Sequence, residues 1–407
     1  MTERGVDATL GMVSTGTVIQ PDLAPVRGDI RQLTGLRGLA ALDVVLTHYG
    51  IQQLPGIGLF GFGNVAVDVF FCLSSFTLCL VYGAGLQNPL RFGPYAMARV
   101  ARVYPLFLVT MLVTLGYSVA WKVGDFATAT PTVLATQFVR QAALLSEVPL
   151  PFLGAEGSWD APAWSISVEA LCYVLAFPPL FALTRRARRL STDQTVMLTL
   201  LLGAACYVFF TKNFDPYTND PFSTRPTHVL ALWVPLVRGF TMFGAGWGAY
   251  LLYLKQGAAT AFLGGVTDTL AVAFLAVVAA EGYGLLPAEL VVLIAPFLIL
   301  GLMNGGRVTA RILASRPVHF VGVISYSLYL WHLPLRTICV RFWPWAEDAN
   351  LFHRMGYPLL VTLIVSTLSF YLMERPARRA IRRLVRSPRT TSSVHDGARL
   401  KSTPLTS

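Results

Sequence analysis

Ten apolar segments, several of them close to twenty residues long and separated by short polar connectors, leave this chain few folds. A bilayer core is crossed by about 20 helical residues, and a helix satisfies its own backbone polar groups there. The segments run 34–50, 65–83, 103–121, 162–184, 195–211, 227–254, 266–282, 286–303, 320–341 and 357–374. They predict an all-α, polytopic bundle of about ten transmembrane helices. A further stretch, 131–145, is too short and too polar to span and reads as an interfacial or re-entrant helix. Only 13% of residues are charged, against roughly a quarter in soluble domains. No apolar block follows a basic start in the first thirty residues, so the first hydrophobic segment is expected to stay as a transmembrane helix.

Loop charge gives the orientation. Lys and Arg gather in alternate connectors: Arg91, Arg99 and Arg102; Arg185 to Arg189; Lys255; Arg307, Arg311 and Arg316; and the run from Arg375 to Arg386. The intervening connectors hold most of the acidic residues, among them Asp125, Glu147, Glu156, Asp160, Glu281 and Glu347. By the positive-inside rule both termini are cytoplasmic. The net charge of +11 is thereby a topology signal, and no nucleic-acid partner is called for. Cys72, Cys79, Cys172, Cys206 and Cys339 fall inside predicted spans without metal-ligand spacing and read as small buried hydrophobes. Residues 1–30 are assigned to a disordered cytoplasmic N-terminus, 31–380 to one membrane domain and 381–407 to a basic, disordered tail.

Function has to be sought in the polar residues that the apolar spans keep. Arg37 and His48 are eleven positions apart, about three helical turns, so they share one face roughly 16 Å apart along the axis. Arginine in an apolar segment costs about 2.5–3.5 kcal/mol on insertion scales and usually faces a bundle interior or a wet cavity. Snorkelling of Arg37 to a headgroup is the plain alternative. On the second span Asp68 lies near the end where His48 closes the first. It can pair with that imidazole, as a carboxylate does for a general base, or cap its own helix. Arg99 and Arg102, a turn apart ahead of Tyr104 and Pro105, can fork around phosphate oxygens or simply obey the positive-inside rule. Glu169 lies inside the fourth span, below Trp164 and on the face of Ser165, where an unpaired carboxylate is costly. The ninth span carries Ser325, Tyr326, Tyr329 and His332, with His332 roughly level with His48 and Glu169. Glu374 meets a basic cluster, and a local ion pair is its default reading.

Taken in order, these motifs resemble the acyltransferase 3 family of integral-membrane O-acyltransferases. LTGLRGLAALDVVLTH matches its Arg, ten residues, His pattern, and VDVFFCLSSF is similar to its second-span motif. The arginine pair before Tyr-Pro, WSISVE and SYSLYLWH complete the likeness over about residues 31–380. Ser75 stands where the family usually has Gly, Asp43 is an unusual charge on the first span, and the hydrolase-like domain fused to some members is not expected here.

The resemblance implies transfer of an acyl group, commonly acetyl, from acyl-coenzyme A to a hydroxyl of a surface glycan, a lipid-linked sugar or a secondary metabolite. It implies no permanently bound cofactor and a multi-pass location in a bacterial plasma membrane. His48, Glu169, Arg37 and Asp68 become the catalytic candidates, with His48 as base and Glu169 or Asp68 orienting it. Arg37, Arg99, Arg102, Tyr329 and His332 become the candidates for holding acyl-coenzyme A. A proton-coupled secondary transporter or flippase is the competing class, since buried Arg, Asp, Glu and His also suit a carrier.

Overall fold

The computed structural model describes residues 29–51, 63–83, 90–149, 158–213, 229–343, 350 and 352–385. The expectations of disorder at residues 1–30 and 381–407 lie outside these, except at 29–30 and 381–385. All regular structure among the described residues is helical. The long helices are α1 (Arg31–His48), α2 (Gly63–Gly83) and α3 (Phe92–Trp121), followed by the short α4 (Pro131–Ala142). Next come α5 (Trp164–Leu171) and α6 (Phe177–Ala187), joined by a π-helical turn, then α7 (Thr192–Asn213) and α8 (Val234–Lys255). Short α9 (Ala258–Gly265), α10 (Thr267–Gly282), α11 (Ala295–Asn304) and α12 (Val308–Leu313) lead to α13 (Arg316–Phe342), α14 (Tyr357–Ser369) and α15 (Arg375–Val385). Helix α15 continues past residue 380 into the stretch assigned to the tail.

Six of these helical stretches are long and apolar enough to cross a bilayer, or seven if the bent pair α9 and α10 is one span, so a count of about ten is not established. The shortfall has local causes. Helix α1 carries Arg31, Arg37 and Asp43 within its eighteen residues. The segment 266–282 is α10, bent 61° from α9. The segment 286–303 is split into a 3-10 turn (Ala288–Leu293) and the ten-residue α11, with Pro296 in its first turn. Large apolar side chains such as Phe262, Val272, Leu275, Leu285 and Leu372 stay exposed, as on a lipid-facing surface. The chain is a multi-pass helical membrane protein.

Helix α2 is buried almost all round, and glycine sets how closely its neighbours approach. A Cβ on Gly246 of α8 would fall 2.1 Å from the Cys72 carbonyl oxygen and 3.0 Å from the Ser75 Cβ. The small residue that Ser75 lacks is thus supplied by the opposing helix. Helices α1 and α13 meet similarly, with Gly38 against the Gly322 backbone. The predicted interfacial helix 131–145 forms as α4, capped by Thr130, whose hydroxyl accepts from the Val133 amide at 3.3 Å. It buries Gln137, Arg140 and Gln141 and exposes Val133, Phe138 and Val139, the inside-out pattern of a helix lying against lipid. The five cysteines are free and buried.

Candidate active site

A partly open cavity of about 60 Å³ lies among α1, α2, α3, α5 and α13. Arg37, Ser74, Arg102, Ser165, Glu169 and Tyr329 supply most of its polar lining, while Val67, Phe70, Phe71 and Ile166 supply apolar walls. The face predicted for Arg37 is therefore turned into the bundle, not to a headgroup. Arg37 and Arg102 each line the cavity without a hydrogen bond or ion pair among the described residues. Arg99, one turn from Arg102, instead lies over the Tyr173 ring, 5.7 Å from its centroid. The guanidinium that shares a space with Arg102 is thus Arg37, from another helix.

Glu169 belongs to the same cavity, and its charge is held by hydroxyls. One carboxylate oxygen accepts from Ser74 Oγ and from Tyr173 OH, each at 2.5 Å. Tyr173 sits in the π-helical turn Cys172–Ala176, four residues beyond Glu169, and its carbonyl accepts from Tyr95 at 2.8 Å. Across the cavity Tyr329 donates to the Pro162 carbonyl at 2.9 Å and lies 2.7 Å from Ser165 Oγ.

His48, at the far end of α1, is exposed and does not reach this cavity. Its partner is a second histidine. His332 is fully buried, donates from Nδ1 to the Tyr329 carbonyl at 2.6 Å, and so presents a lone pair on Nε2. That atom lies 3.3 Å from His48 Nδ1, which is also 2.8 Å from the Val44 carbonyl oxygen. A carbonyl only accepts, so the proton of neutral His48 sits on Nδ1 and its Nε2 keeps a free lone pair. His332, a candidate from sequence for holding the donor, lies beside His48 and is not among the residues that line the cavity.

Neither carboxylate weighed as a partner for His48 fills that place. Asp68 is 2% exposed and binds Arg238 of α8 through both oxygens, with Nε to Oδ1 at 3.1 Å and Nη2 to Oδ2 at 2.8 Å. The Arg238 guanidinium also lies 4.3 Å from the Phe210 ring centroid and 5.6 Å from that of Trp164. Glu374 forms the expected local pair, with Arg378, and accepts from Ser327 at 2.8 Å.

Asp160, read from sequence as an outer-loop charge, is 4% exposed, and neither carboxylate oxygen has a hydrogen-bond partner among the described residues. Burial pushes its pKa well above the usual carboxylate range. A carboxyl whose pKa rises on folding binds its proton more tightly when folded, so its contribution to stability is lost as pH climbs above about 4. Asp160→Asn is therefore expected to raise the unfolding temperature at neutral pH and to flatten its decline between about pH 4 and pH 8. Thermal unfolding across that pH series checks this; an unchanged slope would contradict it.

Comparison with known proteins bears on the family of the chain. The family model described as "Acyltransferase domain" matches residues 30–384. Acyltransferase MdmB of Streptomyces mycarofaciens is 31% identical over 221 residues, 51% of this chain and 53% of that protein. The putative peptidoglycan O-acetyltransferase YrhL of Bacillus subtilis is 25% identical over 364 residues, covering 85% of this chain and 54% of that protein. The putative membrane-bound transacylase BcsY of Komagataeibacter xylinus is 27% identical over 388 residues, 88% of this chain and 85% of that protein. The matches to the first two span about half the length of those relatives. No solved structure matches the chain. With the family match running from the start of α1 almost to the end of α15, the chain belongs to the acyltransferase 3 family.

Proposed function

We propose that this protein is a membrane O-acyltransferase that moves an acyl group, with acetyl favoured, from acyl-coenzyme A to a hydroxyl of a surface glycan, a lipid-linked sugar or a secondary metabolite. Its relatives from Streptomyces and Bacillus support a bacterial plasma-membrane location. The observation that carries the reading is the pair Arg37 and Arg102, lining one cavity without a hydrogen bond or ion pair among the described residues, with Arg37 on the helix that ends at the His48 imidazole. Two partly buried guanidiniums face a single carboxylate, Glu169, in this cavity, so a ligand that brings further negative charge is favoured there, and guanidinium suits phosphate oxygens.

In this reading the coenzyme's phosphates rest between Arg37 and Arg102, and Glu169, held by Ser74 and Tyr173, sets the far side of the cavity. The flexible arm follows α1 over the roughly 16 Å from Arg37 to His48. There the acceptor hydroxyl attacks the thioester carbonyl while His48 Nε2 takes its proton. The hydrogen bonds of His48 Nδ1 to Val44 and His332 keep the imidazole in the tautomer that can accept. The tetrahedral intermediate collapses by breaking the carbon–sulfur bond, and the proton on His48 is available to the departing thiolate.

Purified protein in nanodiscs, given labelled acetyl-coenzyme A and a panel of hydroxylated acceptors, tests this. Coenzyme-dependent transfer of label is expected; movement of a substrate without acylation would favour the carrier. Arg37→Lys keeps the charge but loses the planar fork. It is expected to raise the apparent KM for acyl-coenzyme A about tenfold, the scale of one charge-assisted hydrogen bond. Unchanged KM and rate would remove Arg37 from donor binding.

A further inference from the structure

The cavity that holds Arg37 and Arg102 stops one layer of side chains short of the histidine pair. Phe70 of α2 and Tyr329 of α13 close that side, their rings meeting edge-on with centroids 5.8 Å apart. Beyond them the Tyr329 ring is 6.0 Å from that of His332, which is 5.0 Å from that of His48.

The two halves of this barrier are held differently. Tyr329 is pinned through its hydroxyl to Pro162 and Ser165 and is 5% exposed. Phe70 has no polar atom to fix it and is only half-buried. It lines the cavity on one side and on the other packs against the apolar cluster that contains Tyr49, whose hydroxyl donates to the His332 carbonyl at 3.0 Å. On the route proposed above, from the arginines along α1, a thioester meets this ring before His48, and a side chain held only by dispersion contacts is the one that can turn aside.

We propose that Phe70 is the specificity-determining residue for the acyl group, the movable half of a constriction whose width limits what reaches His48. This rests on the reading of acyl-coenzyme A as donor. The coenzyme's arm is an unbranched chain, and an acetyl end is scarcely wider. An aromatic or α-branched acyl group is wider than the arm that draws it through. Even one methylene in a tight apolar site discriminates by about 10–200-fold.

Affinity labelling tests this without knowledge of the acceptor. Bromoacetyl-coenzyme A and bromo(phenyl)acetyl-coenzyme A each carry an electrophile that an imidazole nitrogen can alkylate with loss of bromide. Peptide mass spectrometry reads the rate at His48, normalised to each probe's rate with free imidazole. In the parent protein the narrow probe is expected to label His48 at least about tenfold faster than the wide one. Phe70→Ala should bring the two within about threefold, and Phe70→Trp should slow both. An equal ratio in the parent and Phe70→Ala, with both folded, would overturn the assignment of Phe70. Coenzyme A binding with no label on His48 from either probe would instead overturn the route, and with it this proposal.

Discussion

His48→Ala protein is expected to insert, fold and bind coenzyme A like the parent, yet to transfer acyl groups about 10²–10⁴-fold more slowly, the usual contribution of a positioned base. The expectation rests on the state of the ring. With His48 Nδ1 donating to Val44, Nε2 is the only ring atom able to take a proton, and the residue is exposed where a hydroxyl can approach. Because the side chain is exposed and its carbonyl contact lies within its own helix, stability should change little. His332→Ala removes the orienting partner instead, and should lower kcat with little change in the KM for the donor. Label transfer in assays of purified protein, with thermal unfolding as the folding control, reads both. Parental turnover in His48→Ala would remove the imidazole from the mechanism.

The largest expected effect on stability is at Arg238. Its bidentate bond to Asp68 joins α8 to α2, and the two side chains are 3% and 2% exposed. Removing one partner leaves the other charge stranded, at about 3–5 kcal/mol. Arg238→Ala and Asp68→Ala are each expected to show that loss as a fall in unfolding temperature. Asp68→Leu combined with Arg238→Met should recover most of it, because two apolar groups of similar volume strand no charge. The double variant also decides the role of Asp68. If the pair is a helix lock the folded double variant keeps turnover, whereas an inactive but equally stable one would return Asp68 to the catalytic machinery.

The sequence carried the axial information and withheld the lateral. The ten residues between Arg37 and His48 fix their separation along one helix, and depth alone set His332 level with His48. That His332 is the partner depends on α13 lying against α1, an approach of Gly38 to Gly322 that no local pattern encodes. Arg238 went unsingled even though the rule applied to Arg37 holds for it: an arginine within an apolar span needs a partner or a cavity. Applied there, the rule flags α8 without saying that the partner is Asp68. The arginine pair at the start of α3 parts because side chains three residues apart still diverge once one ring, Tyr173, takes Arg99 aside. The π-helical turn that delivers Tyr173 to Glu169 leaves no mark in an apolar run.

The most direct measurement is a cryo-electron-microscopy map of the protein in nanodiscs with a non-hydrolysable thioether analogue of acetyl-coenzyme A. Phosphate density between Arg37 and Arg102, with the arm passing a displaced Phe70 and the sulfur beside His48 Nε2, is the predicted result. Phosphates bound elsewhere, or an arm ending away from His48 with Phe70 still edge-on to Tyr329, would contradict it.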